Sequence, residues 1–168
     1  MNDQLPKTSK KKLVVGWFSF TCCEGCLILF TELLNDLYDD WSKLVEFRHL
    51  KALKMKNELR DLDVAFVEGA ISSDSQVEEV KKIRANSKYV VAIGSCACNG
   101  RPSASRNDFK EEELTYRIQW YYEHFHYGDK VKKLEEIIKV DDKVDGCPMN
   151  AAVFKQAATK YLQLFKLV

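Results

Sequence analysis

The chain has 168 residues; 46% are hydrophobic, 30% charged and 11% aromatic, and 26 Lys plus Arg stand against 25 Asp plus Glu for a net charge of +1. That length fits a single domain, and the apolar share is that of a globular chain rather than a disordered one. The near-neutral charge removes the electrostatic reason to expect nucleic acid or an acidic membrane as a partner.

Residues 1–11 are polar and lysine-rich and read as a flexible tail. They carry no apolar core of a secretory signal and no twin-Arg pair. Leu13-Val14-Val15-Gly16-Trp17-Phe18 is apolar at every position, the pattern of a strand covered on both faces. After a short cysteine-bearing loop, Cys26, Leu29, Phe30, Leu33, Leu34 and Leu37 fall on one helical face. Val45 to Arg48 reads as a second strand, and residues 50–60 follow no clear period. Val64-Ala65-Phe66-Val67 is a third, buried strand ended by Glu68-Gly69. Ser75 to Ala85 reads as a surface helix, and Tyr89 to Ile93 as a fourth strand ended by Gly94.

A long loop is expected from Ser95 to about Asp108. Leu114, Ile118, Tyr121, Tyr122 and Phe125 then mark an aromatic helix, whose rings are expected chiefly in the core. A short strand near Lys139 to Val144 leads into Gly146-Cys147-Pro148, where Pro148 can begin the last helix. That helix runs from about Asn150 and places Val153, Phe154, Ala157, Ala158, Tyr161 and Leu162 on one face. Strands alternating with helices predict an α/β fold with a parallel sheet covered on both faces. Residues 12–168 read as one domain. No apolar run approaches the ~20 residues of a membrane span, and the expected setting is cytoplasmic.

Six cysteines stand at Cys22, Cys23, Cys26, Cys96, Cys98 and Cys147. In a reducing compartment, metal binding or redox chemistry is their leading explanation. They fall in loops after the first, fourth and last predicted strands. In open doubly wound sheets these loops meet beyond the carboxyl ends of the strands. A 2-1-3-4-5 order with right-handed crossovers brings residues 70 and 51 positions apart (Cys26 to Cys96, Cys96 to Cys147) to one rim. Four converging thiolates suit a cubane iron–sulfur cluster or zinc. One C-x-x-C with further cysteines on separate loops favours the cluster over two local zinc knuckles. Gly25, Gly94 and Gly146 beside these cysteines allow close backbone approach.

In Cys23-Glu24-Gly25-Cys26, Val67-Glu68-Gly69-Ala70, Gly94-Ser95-Cys96-Ala97 and Gly146-Cys147-Pro148, the chain resembles the small subunit of NiFe hydrogenases and the related 20-kDa-type subunit of respiratory complex I. The four pieces occur in the family's order and span residues 13 to about 165. The resemblance implies a flavodoxin-like, doubly wound, three-layer domain holding one proximal 4Fe-4S cluster. Its ligands would be Cys23, Cys26, Cys96 and Cys147, with Gly25, Glu68, Gly69, Gly94, Ser95, Gly146 and Pro148 around them. It also implies a large-subunit partner carrying the nickel–iron site, and further iron–sulfur or flavin diaphorase-type subunits.

The complex I relatives use a tandem Cys-Cys, so Cys22-Cys23 admits that scheme too. The intact C-x-G-C pattern favours Cys23 and Cys26 and leaves Cys22 and Cys98 as spare thiols. The stretch Arg101 to Asn107 looks most like the short cytoplasmic hydrogenases that exchange electrons with nicotinamide carriers. A quinone-reductase or membrane-hydrogenase module, and a zinc-stabilised interaction domain, are the competing readings.

Neither G-x-G-x-x-G nor G-x-x-x-x-G-K-[ST] occurs, so a phosphate cradle for a nucleotide is not expected here. His124 and His126, two apart on a helix, point to different faces and are not expected to share a metal. Glu68 is expected either to bear a proton or hydrogen-bond role at the partner contact or to tie down loop N–H groups.

Overall fold

The computed structural model describes residues 12–110 and 115–168. The expected tail 1–11 and Leu114 lie outside these residues. Five strands are present: β1 (Leu13–Ser19), β2 (Val45–Leu50), β3 (Leu62–Glu68), β4 (Ser87–Ile93) and β5 (Asp142–Val144). They form one sheet in the order β2-β1-β3-β4-β5, and every neighbouring pair is parallel. The doubly wound order expected from the strand–helix alternation is the one observed.

Consecutive residues of β3 separate the two cores. Val64 and Phe66 face one layer, where Phe30, Leu33, Phe154, Tyr161 and Leu162 are buried. This layer is built by α1 (Gly25–Asp36), α2 (Tyr38–Leu44) and α6 (Ala151–Leu164). Ala65 and Val67 face the other layer, with Val80 and Ile83 of α3 (Asp74–Ala85) and Leu134. Because side chains alternate along a strand, β3 is buried at all seven positions, which explains its unbroken apolar run.

The first layer is largely aromatic. Trp17 stacks on Phe30 with centroids 4.4 Å apart, and Phe154 packs edge-on to Phe30 at 5.7 Å. Gly16 makes room on the other face: a Cβ there would stand 2.6 Å from the Phe18 ring. There Phe18 stacks on buried His49 at 4.3 Å.

Two aspartates fasten neighbouring strands to one another. Asp63 accepts the Val14 amide at 3.0 Å and the Lys88 ammonium at 2.7 Å. Asp141 accepts the Val90 amide at 2.8 Å and Arg84 at 2.6 Å. Burial works against the Asp141 charge, but these two donors outweigh it and hold the carboxyl below the usual carboxylate range.

Several expectations need correction. The stretch Ser95 to Asp108 is not a plain loop: it contains α4 (Gly94–Asn99) and a 3-10 helix (Ser103–Asp108). A polar helix, α2, follows α1 where none was expected. Pro148 does not open the last helix; its start is at Asn150, the position the pattern of α6 indicates, which accepts the Ala152 and Val153 amides at 3.0 and 3.1 Å. Val153 is consequently exposed rather than on the buried face.

The largest correction concerns α5 (Tyr116–His124). None of its residues is buried, and Tyr116, Trp120, Tyr121 and Phe125 all lie in solvent. Its rings pack mainly on one another, with Trp120 stacked on His124 at 4.5 Å. Arg106 lies against Tyr122 and Tyr127 at 4.6 and 5.2 Å and donates to the Gly128 carbonyl at 2.8 Å. Both cores are already filled by the other helices.

Candidate metal centre

The site grows from the carboxyl ends of β1, β3, β4 and β5. Past β1, the loop pairs with the end of β3: Thr21 and Ala70 exchange two backbone hydrogen bonds of 3.0 Å. Gly69 lies between them at φ +97°, and a Cβ on it would stand 2.8 Å from the Phe20 backbone. No larger residue permits this approach. The loop then turns into α1 through Glu24 at φ 60°, which sets Cys26 in the first helical turn.

At the end of β4, Gly94 has φ +75°, and a Cβ there would stand 2.5 Å from Cys26 Sγ. The sulfur therefore lies directly over the glycine. Ser95 N–H donates to the Gly146 carbonyl at 2.8 Å, which joins the β4 and β5 loops. Asp145 reinforces the joint, accepting from Ser95 Oγ at 2.7 Å, Asn99 Nδ2 at 2.8 Å and its neighbour Gly146 N at 2.7 Å. Those hydrogen bonds, from Ser95 first, hold its carboxyl below the usual range.

These loops enclose a cavity of about 140 Å³, lined by Cys22, Cys23, Gly25, Cys26, Glu68, Ile93, Gly94, Ser95, Cys96, Gly146, Cys147 and Pro148. Every sequence-predicted site residue except Gly69 is on that wall, and Gly69 shapes the loop behind it. Cys26 and Cys96 are buried, and Cys23 and Cys147 stand at the exposed mouth.

The two spare thiols part company. Cys98 is buried away from the cavity, its thiol 3.6 Å from the Ala92 carbonyl. Cys22 is half-buried on the cavity wall. Among the described residues, no three His, Cys, Asp or Glu side chains close on a single-ion point; the thiols surround a volume instead. His124 and His126 are exposed on and just beyond α5 and form no such group.

Burial holds the protons on these thiols more tightly than usual. Burial pushes Cys26 up to about 11, against the opposing Met149 N–H, and Cys22 up to about 12. Burial likewise raises the Glu68 carboxyl, although it accepts the Cys26 amide at 3.2 Å and Ser19 Oγ at 3.3 Å. Glu68 thus ties the start of α1 to the end of β3. A metal taking these sulfurs must displace their protons.

Two sulfurs already have donors that sequence reading missed. Met149 N–H points at Cys26 Sγ at 3.3 Å, and Ser103 Oγ lies 3.3 Å from Cys96 Sγ. A backbone donor has no side-chain signature. Ser103 lies in the stretch Arg101 to Asn107, whose resemblance says nothing of a hydroxyl at a sulfur.

Four thiols from three separate loops, an apolar wall and glycines at the points of closest approach fit a thiolate-ligated iron–sulfur cluster. Residues 23–161 match the family described as NADH ubiquinone oxidoreductase, 20 Kd subunit. The coenzyme F420 hydrogenase subunit gamma of Methanosarcina barkeri is 28% identical over 88% of this chain and 53% of its own length. The NAD-reducing hydrogenase HoxS subunit delta of Cupriavidus necator is 23% identical over 92% of this chain and 81% of its own length. The crystal structure of an NAD+-reducing [NiFe]-hydrogenase in the H2-reduced state contains a chain of similar fold. Its TM-score is 0.77 at 26% identity, over 90% of this chain and 92% of that one. The chain spans about half the length of several curated relatives it matches.

Proposed function

Since the chain belongs to the NADH ubiquinone oxidoreductase 20 Kd subunit family, a family of oxidoreductase-complex subunits, we propose that it is the electron-transfer small subunit of a NiFe hydrogenase. In this reading Cys23, Cys26, Cys96 and Cys147 hold one 4Fe-4S cluster. The hydrogen-activating nickel–iron site belongs to a large-subunit partner. When bound, the cluster supplies one-electron transfer between that site and downstream carriers. The observation that carries the reading is the delivery of these four cysteines to one cavity by the loops after β1, β4 and β5.

The chain's own residues do the rest. Met149 N–H and Ser103 Oγ face ligand sulfurs and offset their negative charge. Glu68 fixes the α1 start through the Cys26 amide. Ile93, Pro148 and the glycine backbone keep water from the inner wall, which lowers the local dielectric around the sulfurs. Cys23 and Cys147, at the exposed mouth, mark the side on which the large subunit would sit.

The NAD+-reducing enzyme whose chain shares this fold favours a cytoplasmic complex that passes electrons to a nicotinamide carrier through further iron–sulfur or flavin diaphorase-type subunits. Among the described residues no helix is long and apolar enough to cross a membrane.

Anaerobic reconstitution of the full chain tests the proposal. The expected result is broad thiolate-to-iron absorption with about four irons per chain. Stoichiometric zinc without iron overturns it.

A further inference from the structure

Ser103 opens the 3-10 helix that follows α4, and its hydroxyl lies between two acceptors. Its Oγ is 3.0 Å from the Thr21 carbonyl and 3.3 Å from Cys96 Sγ, with donor geometry to both. A serine hydroxyl has one proton and rotates to suit its neighbours, so it serves one of these acceptors at a time. The donor at Cys26 is different: Met149 N–H is backbone, and its direction is set by the loop. Among the described residues, Ser103 is the one side-chain hydroxyl recorded within hydrogen-bond reach of a cysteine sulfur.

We propose that Ser103 is a redox-responsive hydroxyl donor that sets the reduction potential of the centre held by Cys96. This rests on the 4Fe-4S reading of the cavity. Of the two acceptors the Thr21 carbonyl is the nearer. A metal-bound Cys96 sulfur would carry negative charge and compete for the same hydroxyl proton. Adding one electron to the centre increases the negative charge on its sulfurs, and hydrogen bonds to charged acceptors are the stronger ones. The hydroxyl therefore swings further toward Cys96 Sγ on reduction and stabilises the reduced state more than the oxidised state. The proton stays on Oγ throughout, and no bond is made or broken. The single electron comes from the external reductant.

The same geometry gives Ser103 a positioning part. Through Thr21 O it touches the residue preceding Cys22, so one side chain joins the β1 loop to α4. A purely structural serine would do this without moving a potential, and a redox titration separates the two roles.

The test uses the full chain reconstituted anaerobically as wild type, Ser103→Ala and Ser103→Thr, titrated against redox mediators and followed by electron paramagnetic resonance. At the wild-type midpoint, Ser103→Ala is expected to show roughly a three- to tenfold lower reduced-to-oxidised ratio, up to about 59 mV for one electron. Ser103→Thr, which keeps the hydroxyl, returns most of the shift. Iron per chain is the same in all three. If Ser103→Ala does not load, Ser103→Gly, which also lacks the hydroxyl, takes its place in the same titration with the same expected shift.

An iron-loaded Ser103→Ala with the wild-type potential overturns the proposal, and so does a Ser103→Thr that behaves like alanine. A wild-type chain that takes up no iron overturns the cluster reading itself, and this inference with it.

Discussion

The sulfur of Cys26 rests over the bare Cα of Gly94, 2.5 Å from where a Cβ would stand. Gly94 also sits at φ +75°, a conformation that costs other L-residues roughly 1–2 kcal/mol. Gly94→Ala meets both obstacles at once. It is expected to lower stability by about 1–3 kcal/mol and to displace Cys26 from the cavity. Denaturant midpoints and iron content per chain measure the two effects separately.

Replacing the proposed ligands one by one sorts six thiols into two sets. Cys23→Ser, Cys26→Ser, Cys96→Ser and Cys147→Ser should each reduce bound iron and bleach the visible absorption. Cys98→Ser should keep the iron, because that thiol faces the Ala92 carbonyl rather than the cavity. Cys22→Ser should keep it too, although Cys22 lines the wall. Loss of iron in Cys22→Ser with retention in Cys26→Ser would establish the tandem-cysteine scheme instead.

Asp141 gives the fold a defined acid sensitivity. Its carboxyl is held below the usual range in the folded chain despite its burial, through Val90 N–H and Arg84. Its contribution to stability is therefore fully present above the unfolded carboxylate value of about 3.9 and is lost as pH falls through the folded value. Asp141→Asn is expected to lower stability by about 1–3 kcal/mol at neutral pH. Urea midpoints of the two proteins should converge as the pH drops below about 4.

The two sets of aromatic residues should respond oppositely to truncation. Phe30→Ala or Phe154→Ala removes a ring from a packed layer and is expected to cost about 3–5 kcal/mol. Phe125→Ala on α5, where the ring is 53% exposed, should stay within about 0.5 kcal/mol. Chemical denaturation of the three variants checks the contrast.

The strands were legible because β1, β3 and β4 are covered on both faces, which leaves continuous apolar runs such as Val64-Ala65-Phe66-Val67. The cysteine loops were legible because they follow those runs. What lay hidden depends on contacts distant in sequence. Helix α4 has six residues, too few for a period to show. Its hold on the β5 loop, the Ser95 N–H to Gly146 bond and the clasp of Asp145, joins residues about fifty positions apart. The period of α5 indicated a helix, but aromatic side chains on one face do not reveal whether that face meets the protein or solvent. Ser103 and the Met149 amide carry no pattern of their own; their importance comes from the sulfurs they reach.

The contact between Cys26 and Met149 spans 123 positions, with consequences for how such a protein matures. While the ribosome is still adding the middle strands, the early thiols have nothing to close against. The pocket comes into being only when the β5 loop docks against the start of α1. Under the proposed function, iron and sulfide would enter after that docking, through the open mouth where Cys23 and Cys147 stand.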